Sequence, residues 1–230
     1  MPYSLRLIED TLAPGARYTP ALGSTAGVLY LAGGEMRVGP SGAAAPLASG
    51  RAQMAAKPGA IAGPEGARLL RFELVRQPPP PAGGRVLLEH PMALDPRASW
   101  LLRCDRVDFE RGAVAPRHGH RGGGIRCLLR GRLDVTVGEG PTRAMRPWDA
   151  WFESGKEAVL AVASKDEETS FVRVAVLPAE IRGQSSIVYV NAARPRAASL
   201  APTPCSWTSR LPSEVGGVAL RRSLAKDRLR

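Results

Sequence analysis

The stretch APRHGHRGGGIRCLLRGRLDV, Ala115 to Val135, holds two of the chain's three histidines, His118 and His120, one residue apart. On a strand, side chains two apart project to one face, so both imidazoles can enter one pocket. Neutral imidazoles suit Fe, Mn, Ni, Cu or Zn. An open metal site generally has three protein ligands, either three histidines or two with a carboxylate, so this pair needs a further donor. Glu153 ends the apolar run AWF and is the first candidate, as third ligand or as general base; Asp149, Asp134 and Glu110 are weaker ones. A metal-free reading stands beside this one: the pair hydrogen-bonds, or holds a ligand, at a pocket mouth.

Arg126 is the next residue of interest. If alternation survives the glycine turn, residues 124, 126 and 128 share the inward face with the histidines. An inward guanidinium is costly unless paired. It would grip the carboxylate of a small acid, or else close a salt bridge with a nearby acidic side chain. Trp148, Trp151 and Phe152 read as an aromatic cluster, as core first and pocket wall second, with Trp151 the candidate substrate contact. Gly122 to Gly124 lack the strand–GxxxxGK[ST]–helix context of a phosphate loop, and no GxGxxG or GxSxG is present. His90 lies in the link between the halves and reads as structural or exposed.

The elements that would carry these residues read as β throughout. With 25 Gly and 21 Pro, the composition suits short strands joined by turns. The chain also repeats: Pro14–Val38 lies over Arg111–Val135 without a gap, pairing Gly15 with Gly112, Gly27 with Gly124, Val28 with Ile125 and Gly34 with Gly131. Each copy shows two apolar runs broken at a glycine, which predicts a hairpin. Each closes on an apolar strand, ARLLRFELV and SFVRVAVL. The proline run Gln77–Gly84 reads as the linker. This gives a first barrel over 1–78, a linker with a connecting strand over 79–100, a second barrel over 101–180 and a basic extension over 181–230.

The charge supports little nucleic-acid binding. Residues 181–230 carry nine Lys/Arg against two Asp/Glu, so most of the net +11 sits in that tail. Its last segment, VALRRSLAKDRLR, fits a short basic amphipathic helix in a partly disordered extension. The body has no basic stripe interleaved with aromatics. Cys104, Cys127 and Cys205 are too far apart for a zinc pattern and read as inert thiols. The absence of a long apolar span and of a signal-peptide pattern sets the expectation of a cytoplasmic protein without membrane contact.

The second half resembles a cupin. That family's first motif is Gly, five residues, His-x-His, three or four residues, Glu, six residues, Gly. Gly112, His118, His120 and Gly131 fit it, while the glutamate position falls on Gly124 or Ile125. Of the second motif, Gly155 is retained, whereas Trp148, Glu153 and Ala158 replace its first glycine, proline and histidine. The first half resembles a more eroded copy, with Ala21 and Gly23 at the histidine positions and Gly27 at the glutamate. The resemblance implies an all-β protein of two jelly-roll (double-stranded β-helix) barrels in tandem, with an irregular or partly helical tail. It implies a small-molecule ligand, leaves room for a homodimer, and admits two activities. One is a metal-dependent enzyme acting on a small, acidic molecule through His118, His120, Glu153 and Arg126. The other is a non-catalytic bicupin that binds small molecules.

Overall fold

The computed structural model describes residues 3–19, 26–39, 44–54, 59–76, 83–190 and 207–210. Among these, the only helical element is the 3₁₀ turn Ala179–Ile181. The rest of the regular structure is antiparallel β, as the sequence predicts.

The N-terminal half comprises β1 (Tyr3–Leu12), β2 (Arg17–Tyr18), β3 (Ala26–Val38), β4 (Ala45–Leu47), β5 (Ala52–Met54), β6 (Ala60–Arg76) and β7 (Arg85–Met92). They form one sheet in the order β4-β3-β6-β1-β7, with β2 on β6 and β5 on β3. The paired strands β3 and β6 bend where their register shifts, around Gly33 and Gly34. Leu31 and Leu69 on one limb then close over Met36, Val38, Ala60 and Ala62 on the other. Gly34 is needed at this bend: its φ is +78°, and a Cβ there would lie 2.2 Å from the Gly66 carbonyl oxygen.

The C-terminal half divides the same plan between two sheets. Its strands are β8 (Trp100–Phe109), β9 (Val114–His120), β10 (Gly124–Arg130), β11 (Leu133–Val137), β12 (Arg143–Met145), β13 (Ala150–Glu153), β14 (Val159–Ala163), β15 (Thr169–Pro178), β16 (Ile187–Tyr189) and β17 (Trp207–Arg210). The sheet orders are β13-β10-β15-β8-β17 and β12-β11-β14-β9-β16. Phe109, Leu128, Trp151 and Phe171 from the first meet Ala115, Leu133, Val135 and Val159 from the second.

The expected hairpins are not there. β3 runs through its glycines as one bent strand, while β10 and β11 belong to different sheets. In both copies the glycine carries the chain around a barrel corner and does not reverse it. The repeat itself holds residue by residue in the ladders. Arg71 lies between Ile8 and Leu29, as Arg173 lies between Asp105 and Arg126. Glu73 lies between Arg6 and Gly27, as Ala175 lies between Arg103 and Gly124. The row Tyr18, Ala60, Val38 is matched by Ala115, Ala161, Val135.

The two halves share a core. Leu5, Leu7, Phe72 and Leu74 on one sheet pack into the same buried cluster as Cys104, Ile125, Cys127 and Val174 on the other. Each fully buried Leu, Val or Phe in it contributes about 1.5–3 kcal/mol. Strands such as β1 are therefore buried on both faces, with eight consecutive buried residues. Alternate residues on these strands face the barrel interiors, and several are charged. Cys104 and Cys127 are free and buried, and burial pushes the Cys127 thiol up to about 12. Cys205, the linker core 77–82, the Ala21 and Gly23 positions and the expected helix over 218–230 lie outside the described residues. Within the expected linker, β7 pairs with β1; within the expected tail, β16 pairs with β9 and β17 with β8.

Candidate functional site

The C-terminal barrel encloses a cavity of about 480 Å³. His118 and His120 from β9, Arg126 from β10, and Trp151 and Glu153 from β13 all line it. So do Arg103 and Asp105 from β8 and Arg173 from β15. The structure thus brings together the five residues singled out in the sequence. The weaker carboxylate candidates Glu110, Asp134 and Asp149 are exposed and lie outside the cavity wall.

Local structure explains each placement. A register shift in the β14–β9 ladder sets Ala115 opposite Ala161 and His118 opposite Val159. This bulge re-aims the strand, so Ala115, His118 and His120 all reach the cavity, while Arg117 reaches outward to Glu139. The imidazoles meet edge to face, with centroids 4.9 Å apart. His118 donates from Nδ1 to the Pro116 carbonyl at 2.7 Å, because a carbonyl can only accept. His120 has the Ser186 hydroxyl 3.4 Å from Nδ1 and Glu153 Oε2 3.5 Å from Nε2.

Each oxygen of Glu153 has a donor. Trp151 Nε1 donates to Oε1 at 2.8 Å, and Arg126 Nη2 donates to Oε2 at 2.7 Å. Arg126 also donates from Nη1 to the Gly124 carbonyl at 2.6 Å. Burial brings the Arg126 guanidinium down to about 10 against the pull of Glu153. The alternation expected for residue 126 therefore holds, and its guanidinium closes a salt bridge.

Arg103, Asp105 and Arg173 were missed in the sequence. Arg173 gives Nε and Nη2 to Asp105 Oδ2, both at 3.0 Å, and Arg103 Nε reaches the same oxygen at 3.1 Å. Arg103 also bonds the Ser186 hydroxyl at 2.7 Å and the Gln184 carbonyl at 2.9 Å. A signal existed: an arginine stands inside the apolar closing strand of each copy, Arg71 and Arg173. The three aromatic residues divide between two cores: Trp148 and Phe152 pack against the core shared by the halves, and Trp151 faces the barrel interior. Trp151 lines the cavity, Phe152 stacks on His90 at 3.5 Å, and Trp148 lies under the Arg68 guanidinium at 3.2 Å.

These donors do not fit a divalent cation. Among the described residues, no group of three or more His, Cys, Asp or Glu side chains is arranged to hold a metal ion. Both Glu153 oxygens are already bonded. Burial first, and then the charges of Arg126, Arg173, His118 and Arg103, hold the His120 imidazole far below its ordinary range. At the position of the missing glutamate, a Cβ on Gly124 would lie 2.4 Å from the Val174 carbonyl oxygen and 2.7 Å from the Ala175 Cα. β10 and β15 approach too closely there for a side chain.

The state of His120 has a consequence for stability. Unfolded, it binds a proton near 6.5; folded, it does not. Its contribution is therefore complete above pH about 6.5 and is lost as pH falls below that value, by up to about 1.4 kcal/mol per pH unit. Urea melts of the wild type at pH 7.5 and 5.5 are expected to show a steeper loss than those of His120→Gln. Identical pH dependence in the two proteins would contradict a neutral, buried His120.

No family model and no curated protein matches this sequence. Solved structures do match. Oxalate decarboxylase from Lactobacillus farciminis, determined as a formate complex, aligns with a TM-score of 0.60 at 14% identity, over 84% of this chain and 82% of that one. A point mutant of Bacillus subtilis oxalate decarboxylase gives 0.59 at 14%, over 84% and 73%. AerE from Microcystis aeruginosa gives 0.52 at 14%, over 76% and 87%. At such identity the likeness establishes the fold alone: the chain is all-β, with two cupin-like barrels in tandem.

Proposed function

We propose that the C-terminal barrel binds a small organic anion in its cavity, with the N-terminal barrel as a structural partner. One observation carries this reading. Arg103 and Arg173 share a single carboxylate, Asp105, at the cavity wall, so the cluster is one negative charge short. An entering carboxylate would supply it through charge-assisted hydrogen bonds. In this reading Trp151 is a ligand-facing wall, Arg126 adds positive field and Glu153 holds Arg126 in place. The two imidazoles offer hydrogen-bonding edges at the cavity wall.

Calorimetric titration with a panel of small carboxylic acids tests this directly. At least one is expected to bind, with affinity reduced tenfold or more in Arg173→Met. No binding by any acid would overturn the reading. The metalloenzyme alternative rests on the His-x-His pair, with Glu153 as third ligand or base, and makes a different forecast. It requires stoichiometric Fe, Mn, Ni, Cu or Zn in protein purified without added metal, lost in His118→Ala/His120→Ala.

A further inference from the structure

The positions around Arg173 have counterparts in the N-terminal barrel, where charged and aromatic side chains stand at the corresponding register. By ladder register, Asp10 stands at the position of Val107, and Tyr18 at that of Ala115. The Asp10 carboxylate receives Arg71 Nε at 2.8 Å and Nη2 at 3.2 Å. Tyr18 donates its hydroxyl to the same carboxylate at 2.5 Å. The arginine at the register of Arg173 is thus met by a carboxylate and an adjoining phenol ring.

The C-terminal copy has Val107 and Ala115 instead, and both are cavity walls. Arg173 gives Nε and Nη2 to Asp105, and its Nη1 has no acceptor among the described residues. The apolar part of the cavity lining includes Phe109, Val159, Ala161 and Phe171. A volume of about 480 Å³ is within the usual range for a small ring-bearing ligand.

We infer that the cavity takes an aromatic carboxylic acid, its carboxylate on Arg173 and its ring in the space that Tyr18 fills in the other barrel. This rests on the anion-binding reading above and names the ligand class. The N-terminal barrel carries a tethered version of the same ligand in Asp10 and Tyr18.

The test compares 4-hydroxyphenylacetate and benzoate with acetate and phenol, followed by calorimetry and tryptophan fluorescence. The aromatic acids are expected to bind one per chain, at least tenfold more tightly than either fragment. Val107→Asp/Ala115→Tyr, which copies the N-terminal filling, is expected to fold and to lose that binding. Ala115→Tyr alone provides the same test with a smaller change. If acetate binds as well as the aromatic acids, or if Ala115→Tyr leaves aromatic-acid binding intact, the inference fails while anion binding stands. If no acid binds, both fail.

Discussion

Glu73→Ala is expected to destabilise the protein by about 3–5 kcal/mol. Glu73 is fully buried and accepts from Arg6 Nε at 2.6 Å and from Arg71 Nη1. Both arginines are themselves buried to within 1%. Alanine would leave two desolvated guanidiniums with one carboxylate fewer, and breaking a buried pair from one side is the costly way to break it. The control is Arg6→Met/Glu73→Leu, which removes the carboxylate together with Arg6 and leaves Arg71 to its bonds with Asp10. It is expected to stay within about 1–2 kcal/mol of wild type. Urea denaturation of the two variants separates the cases. Equal losses would mean that lost packing, not uncompensated charge, sets the effect.

Glu153→Ala is expected to cost a similar amount, about 3–5 kcal/mol, for the same reason. It strips the carboxylate from Arg126, which is fully buried, and the acceptor from Trp151 Nε1. Glu153→Gln keeps an acceptor for Trp151 and most of the volume but removes the charge, and is expected to lose less. The N-terminal barrel suggests the repair. Leu29 holds the register of Arg126, so an apolar residue already occupies that position in one copy. Arg126→Leu/Glu153→Leu should therefore recover most of the stability. If melting shows the double variant no better than Glu153→Ala, the pair is not the source of the loss.

The fold was legible in the sequence wherever one strand's own pattern decided the matter. Alternation placed His118, His120 and Arg126 on inward faces, and the repeat, with its shared glycines, placed two like barrels in tandem. What was not legible depends on who sits across the sheet. Arg103, Asp105 and Arg173 occur in strands buried on both faces, where WLLRCDRVDF gives no sign of which side is the interior. Glu153 was found by its position, but its bond to Arg126 follows from the register of β10 with β13, a pairing between residues distant in the chain. Gly131, with φ +75°, looks in sequence like a hairpin turn. Only the separate partners of β10 and β11 reveal that the chain there changes sheets.

The shared sheet face between the halves has a consequence for how the two barrels depend on each other. Among the described residues, the buried arginines of one barrel are closed by its own carboxylates, while the other barrel holds a cavity. Because they are joined through a common apolar core, the first can brace the second. Severing them at the linker would not yield two smaller proteins, since each would present Leu5, Leu7 and Phe72, or Ile125 and Val174, to water.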